Sequence, residues 1–280
     1  MNESKIPKLL QEIPDKPKKL YMIGEFPDQD NNIFLTVIGS RKYTQYGKSV
    51  CEKLIAGLAG YPFVIVSGLA LGIDGIAHRA ALDNNLTTIA IPGSGLDASV
   101  LYPASHRNLV KDILNADGCL MSELEPMTKA APWTFPQRNR IMAGLSHAVL
   151  VIEAENKSGT RITARLATEY NREVFSVPGS IFSTASEGCN ELIREGATPI
   201  TSARDILDHF HLLDEKNPTQ QQMMALEPNE QLVIDLLNEP TSRNVLAEKL
   251  DIPIMKINIL LSSMEIKGLI AESMGKICKK

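Results

Sequence analysis

The sequence predicts an α/β fold in which a parallel sheet carries most of the chain and a small helical domain follows. Two observations predict it. From Ile33 to about Ile200 one rhythm repeats: a short β-branched run, a glycine turn, then a stretch of helical periodicity. After Phe210 the rhythm stops, and a polar, proline-bearing stretch leads into three short helical patterns.

Residues 1–32 are rich in Pro, Lys and Asp and read as an irregular N-terminal lead-in. The runs Phe34–Ile38, Phe63–Val66, Thr87–Ile91, Ala148–Ile152 and Val174–Val177 are short, continuous and apolar. Strands buried on both faces of a parallel sheet have this character. Between them, KSVCEKLIAGLAG and IDGIAHRAALDNN carry a helical period, the mark of right-handed crossovers. Residues 33–213 thus form the α/β domain and residues 214–227 a linker. Residues 228–280 read as helices near Asn229–Asn238, Arg243–Leu250 and Pro253–Ile266, closed by a hairpin or wing over Gly268–Ile277. Thr241 and Ser242 are expected caps of the second helix, and Asp251-Ile252-Pro253 breaks the chain before the third. The pattern is helix-turn-helix, winged-helix-like in order.

Composition narrows the class. A hydrophobic content of 44% with 22% charged residues is ordinary for a globular protein. No apolar run reaches the length of a bilayer span, and the N-terminus has no signal-peptide core. Cys51, Cys119, Cys189 and Cys278 are scattered without a CxxC spacing, so neither a disulfide framework nor a metal site is expected. A reducing cytoplasm is the natural location. The net charge of −4 excludes a molecule coated in positive charge, and it leaves room for a local site where arginines and backbone N–H groups converge.

The turns after the five strands are the most informative feature: Gly39-Ser40-Arg41, Ser67-Gly68, Gly93-Ser94-Gly95, Ser158-Gly159-Thr160 and Pro178-Gly179-Ser180. In an open parallel sheet these lie along the carboxyl edge, where such folds bind ligands. Glycine permits close backbone approach, and each following helix offers free N–H groups to a phosphate. One such turn means little, because strand-to-helix turns favour these residues anyway; five on one edge predict an anion-binding groove. Phe135-Pro136-Gln137-Arg138-Asn139-Arg140 adds two arginines flanking an asparagine at a helix mouth, suited to backbone phosphates. Phe135 offers a stacking face, whereas Trp133 is expected in the core. The competing reading pairs the arginines with Glu123 or Glu153. Arg161 and Arg165 stand one turn apart on the helix after Ser158-Gly159, as a solvated face or a DNA-facing one.

Catalytic machinery is hard to find. Asp74 and His78 stand four apart on a helix, but a cap and a structural histidine account for them equally well. There is no Walker A motif, no HExxH, no GxSxG elbow and no dinucleotide fingerprint. No catalytic residue, metal or cofactor is expected.

At this point the ordered motifs resemble the DNA processing protein A family (DprA, also called Smf). They run from Val37-Ile38-Gly39-Ser40-Arg41 through Val66-Ser67-Gly68-Leu69-Ala70-Leu71-Gly72-Ile73-Asp74 and Phe135-Pro136-Gln137-Arg138-Asn139-Arg140-Ile141. Val151-Ile152-Glu153-Ala154, Ser158-Gly159-Thr160, Val177-Pro178-Gly179 and Gly188-Cys189-Asn190-Glu191-Leu192-Ile193 continue the likeness. The resemblance implies an extended Rossmann fold that forms a homodimer and binds single-stranded DNA without an enzymatic step. It further implies loading of the RecA recombinase during natural transformation, with the strand shared with or taken from single-strand-binding protein. The implied DNA contacts are Gly39, Ser40, Arg41, Phe135, Arg138, Asn139, Arg140, Ser158 and Gly159. The residue reading adds Ser67, Gly68 and Arg161.

The chain departs from the family pattern in several places. The sequence given is expected not to contain the sterile-alpha-motif-like N-terminal domain of many members, has Ser94 where a cysteine is frequent, and places Arg161 at a usually apolar position. Lys and Arg do not outnumber Asp and Glu after Thr219, which favours a protein contact over a duplex grip for the C-terminal domain. Apolar groups near Leu192, Ile193 and Ile206 are the candidate dimer contacts. Two rivals remain. A nucleotide phosphoribohydrolase would carry PGGxGTxxE, but here Arg161 and Ile162 break that pattern and Thr163 stands at the glutamate's place. A pure adaptor would work through the winged helix alone.

Overall fold

A computed structural model describes residues 2–3, 6–156, 158–213, 228–237, 241–250, 252–266, 269–273 and 276–279. The chain divides into two units, Met1–Leu213 and Asp214–Lys280. The linker expected at 214–227 lies outside the described residues.

The first unit opens with β1 (Asn2–Glu3), α1 (Lys8–Gln11) and β2 (Tyr21–Gly24). Then come β3 (Ile33–Ile38), α2 (Gln45–Ala56), β4 (Phe63–Ser67), α3 (Ile73–Asp83) and β5 (Thr88–Ala90). A 3-10 turn leads to α4 (Arg107–Asn115), β6 (Cys119–Ser122), α5 (Thr134–Leu145) and β7 (Ala148–Val151). α6 (Gly159–Glu169), β8 (Glu173–Ser176), α7 (Thr184–Arg194), β9 (Thr198–Pro199) and α8 (Ala203–His209) complete it.

The sheet runs β1-β2-β6-β5-β4-β3-β7-β8-β9. Every pair from β6 to β9 is parallel, whereas β2 is antiparallel to both β1 and β6. Chain order proceeds from β3 outward through β4, β5 and β6 on one side, then restarts at β7 on the other. That reversal between β3 and β7 is the topological switch point of a doubly wound, Rossmann-like sheet, and it opens a crevice at the strands' carboxyl ends. Two apolar layers cover the faces. One packs α1, α5, α6 and α7 on Phe34, Val64 and Val149; the other packs α2, α3 and α8 on Leu35, Ile65 and Leu150.

Two sequence expectations need correction here. The lead-in is built into the domain: Leu10, Ile13 and Leu20 are buried in the first core layer, and β2 lies in the sheet. The sheet is also mixed rather than wholly parallel, because β2, from that same N-terminal segment, adds antiparallel to β6 and carries β1 at its outer edge. All five expected strands are present, with ends shifted by a residue or two.

The second unit contains α9 (Pro228–Leu236), α10 (Arg243–Leu250), α11 (Ile254–Ile266) and an antiparallel hairpin, β10 (Ile270–Ser273) with β11 (Lys276–Lys279). Its core is Val233, Leu246, Ile257, Leu261, Met264, Ile270 and Ile277. Thr241 pairs its backbone with Ile277, which ties the start of α10 to the hairpin.

Candidate functional site

The turns after β3 and β7 face each other across the switch point and frame a cleft of about 500 Å³. Gly39-Ser40-Arg41-Lys42 forms one lip. A side chain on Gly39 would meet Ile73 Cγ1 at 2.7 Å, so only glycine lets this turn sit against the start of α3. The Ser40 hydroxyl closes its own turn, donating to the Lys42 carbonyl at 2.9 Å and accepting from the Lys42 N–H at 3.0 Å. Glu155, Ser158, Gly159 and Thr160 form the other lip, and Thr160 Oγ1 donates to the Gly39 carbonyl at 3.3 Å. Gly159 has open space on its Cβ side. It starts α6, whose first-turn N–H groups and positive dipole end look into the cleft. Buried Ser158 Oγ has no hydrogen-bond partner among the described residues.

The lips are held together from below by Glu153, which is 1% exposed. Its carboxylate accepts from the Thr44 N–H at 2.9 Å and from the Thr44 hydroxyl. Thr44 is itself the N-cap of α2, accepting from the Gly47 N–H at 3.1 Å.

Phe135, in the first turn of α5, forms the cleft's aromatic wall. Its ring lies 2.6 Å from where a Cβ on Gly93 would be, and it meets Tyr102 edge-on at 5.9 Å between centroids. The exposed Arg41 guanidinium sits 5.0 Å above the same ring, a cation–π arrangement. Among the described residues neither Arg41 nor Lys42 forms an ion pair.

The floor is Arg138 and Asp74, both buried. Arg138 Nη1 donates to the Ile91 carbonyl at 2.7 Å, and Asp74 Oδ2 accepts from the Ala70 N–H at 3.4 Å. The two side chains converge over Gly68: a Cβ there would overlap the Arg138 guanidinium and lie 2.6 Å from Asp74 Oδ2. Burial opposes both charges. It lowers Arg138 to about 10, with Arg41 adding to the effect and Asp74 opposing it, so Arg138 remains cationic at neutral pH. Desolvation likewise raises Asp74, against the pull of Arg138.

The structure gathers Gly39, Ser40, Arg41, Phe135, Arg138, Asn139, Ser158 and Gly159 at this cleft. Gly68 lies in a small hollow beneath Arg41 and Phe135. Three expected site residues go elsewhere. Ser67 is buried and donates to the Val37 carbonyl at 2.6 Å, which makes it a strand-to-strand tie. Arg140 turns away to Glu123 and to Asp15, the ion-pair alternative weighed above. Arg161 pairs with Glu195 at 2.7 Å and with Asn156 in a separate groove on the other side of α6.

Only two of the five turns frame the cleft. Ser94 is buried and Gly95 bonds to Thr128, while the Pro178-Gly179 turn is held by Asn190 and by the Tyr46 hydroxyl. Trp133 is 60% exposed rather than in the core, because α5 begins there and turns its apolar face to the sheet only from Ile141 onward. Asp74 and His78 are no acid–base pair: His78 Nδ1 lies 2.8 Å from Thr88 Oγ1, and Asp74 faces Arg138. Leu192 and Ile206 are buried in the unit's own core, so neither offers a dimer surface. Lys42, Asp74 and Glu155 were not picked out for the cleft from the sequence. For Lys42 the signal was its place directly after Arg41 in the first glycine turn.

A doubly wound α/β domain with a cation-rimmed cleft at its switch point defines a Rossmann-like ligand-binding protein. The family model for DNA recombination-mediator protein A matches residues 1–211. The chain belongs to that family. It is 36% identical over 271 residues to Protein Smf of Escherichia coli strain K12, covering 93% of this chain and 71% of that protein. It is 44% identical over 206 residues to DNA processing protein DprA of Streptococcus pneumoniae, covering 72% and 70% of the two chains. A solved structure of DNA processing protein A from Helicobacter pylori, concerned with its single-stranded DNA binding mode, superposes with a TM-score of 0.67 at 33% identity. That match covers 75% of this chain and 95% of that one.

Proposed function

We propose that the cleft binds single-stranded DNA and that the protein is a non-enzymatic, cytoplasmic recombination mediator. The observation that carries the reading is the pair Arg41 and Lys42, which form no ion pair among the described residues, set beside the half-buried Phe135 ring at a sheet-edge cleft. Phosphates need cations and N–H donors, and unpaired bases need a flat apolar face. A duplex hides those faces. The single-strand binding described for the Helicobacter pylori relative supports the same ligand.

Membership of a recombination-mediator family supports the further reading that the bound strand is protected and passed to a RecA-type recombinase during natural transformation. Single-strand-binding protein would be the competitor for the strand, and a homodimer the working unit. The non-enzymatic reading is supported by two features of the cleft: Asp74 is buried beside Arg138, and Thr163 is a buried wall residue where the phosphoribohydrolases carry glutamate. Three helices and a hairpin support a winged-helix reading of the second unit, with a protein as its partner. No helix among the described residues is long and apolar enough to cross a membrane.

The test is fluorescence anisotropy with a labelled oligothymidylate and with a duplex of equal length, each across a salt series. Tight, salt-sensitive binding to the single strand and weaker binding to the duplex is the expected result. No binding at low salt overturns the reading and directs the next assay to base release from nucleoside monophosphates.

A further inference from the structure

The loop between β8 and α7 carries the most exposed large apolar side chains among the described residues: Phe182 is 93% exposed and Ile181 81%. Exposure on this scale leaves apolar area in water that a binding partner would cover. The loop is nonetheless ordered from within. The Phe182 N–H donates to Ser180 Oγ at 3.2 Å, and the Ser183 N–H to the Ser180 carbonyl at 3.0 Å. Neither aromatic packing nor a core contact accounts for Phe182, so its exposed position needs another explanation.

Its placement supplies one. β8 lies two strands from β3 on the same sheet edge, about 10 Å at the usual strand spacing. Both flanks of the loop are fixed to the cleft's lips. On one side the Tyr46 hydroxyl, from the helix that follows Arg41-Lys42, donates to the Pro178 carbonyl at 2.7 Å. On the other, Ala154, one residue before Glu155 of the cleft, donates to the Ala185 carbonyl at 2.9 Å and accepts from the Gly188 N–H at 2.8 Å. Tyr43 and Tyr46, 45% and 49% exposed, lie on the chain segment between the cationic lip and this loop. Phe135 in the cleft, Tyr46 reaching from the helix after the cationic lip to the loop, and exposed Phe182 within it thus put aromatic side chains on linked segments of one edge.

We propose that Phe182, backed by Ile181, is a stacking platform for a base of single-stranded DNA lying beyond the cleft, reached by a strand that leaves over Tyr46. This rests on the reading of the cleft as the DNA site and extends that site by the width of two strands. The chemistry suits bases rather than phosphates: the loop has no cation of its own between Pro178 and Ser186, and an aromatic face serves any base.

The experiment compares a labelled tetrathymidylate, sized to the cleft, with a fifteen-nucleotide oligothymidylate, using the full chain, Phe182→Ala and Phe182→Trp. Phe182→Ala is expected to weaken the longer oligonucleotide about ten-fold, in the range for loss of one stacked base, and to leave the shorter unchanged. Phe182→Trp restores the longer strand's affinity. Sedimentation of each variant runs in parallel. Unchanged affinity of Phe182→Ala for the fifteen-nucleotide strand overturns the proposal while leaving the cleft reading intact. Loss of affinity accompanied by a smaller sedimenting species also overturns it, since the loop is then a contact between protein copies. Failure of the unmodified protein to bind either oligonucleotide removes the cleft reading itself.

Discussion

Two arginine-bearing clefts lie on either side of α6, and Ile162 lines both. The groove on the far side is the larger, about 830 Å³ against 500, and holds Arg161, Arg165 and Arg172. Each is already matched by a carboxylate: Glu195 at 2.7 Å, Glu169 at 2.8 Å and Glu12 at 2.8 Å. The cleft at the switch point holds fewer arginines but as many cations, Arg41, Lys42 and Arg138, and Arg41 and Lys42 on its rim form no such ion pair among the described residues. A phosphate entering the far groove must displace a carboxylate. One entering the switch-point cleft has no ion pair of Arg41 or Lys42 to break among the described residues. Arginine count and cavity size favour the far groove, whereas pairing favours the switch-point cleft, the site proposed for the strand.

The sharpest way to break this comparison is to remove the unpaired charge. Arg41→Ala/Lys42→Ala should cost about two orders of magnitude in single-strand affinity at moderate salt. It should also reduce the slope of log affinity against log salt by about 1.4, since each single-strand phosphate contact contributes about 0.7. Arg161→Ala/Arg165→Ala should leave that slope unchanged. Equal changes in the two double variants would show that pairing does not distinguish the grooves.

Acid probes one of the two regions by itself. Beneath the switch-point cleft, burial, then His106 and Arg138, push His78 down to about 3. The folded state keeps this imidazole neutral while the unfolded chain takes up a proton below about 6.5, so stability is complete above that pH. It then falls by up to about 1.4 kcal/mol per pH unit on the way towards 3. Urea unfolding at pH 7.5, 6.0 and 5.0 checks this, and a His78→Gln variant should show a flatter dependence. The smallest effect belongs to Arg165→Ala. Its i,i+4 partner Glu169 and its own 82% side-chain exposure leave the pair worth less than about 0.5 kcal/mol in a thermal melt.

The same contrast explains what could be read without a structure. β3, β4 and β7 announce themselves because burial on both faces forces continuous apolar runs. β2, Tyr21-Met22-Ile23-Gly24, sits between lysine- and proline-rich flanks and joins the sheet only by pairing with β6, about a hundred residues later. No local pattern encodes that pairing. The site divides similarly. Gly39, Arg41 and Ser158 could be found from the turn chemistry after their strands and Phe135 from its place before the arginines, whereas the strand order that brings only two of the five turns together could not. Arg140 and Arg161 look equally good in sequence, and only tertiary structure reveals that Glu123, Asp15 and Glu195 reach them first.

Glu153 gives the cleft a property beyond its shape. One buried carboxylate binds the residue that caps α2 and, through its own place at the end of β7, fixes the spacing of the two lips. The mouth is thus braced from within, and if a strand enters as proposed, little loop entropy is lost. The flexible partner, the nucleic acid, bears nearly all of the ordering penalty. Residence time then depends on how many nucleotides are held at once, so a strand peeled off from one end leaves stepwise without the protein having to open.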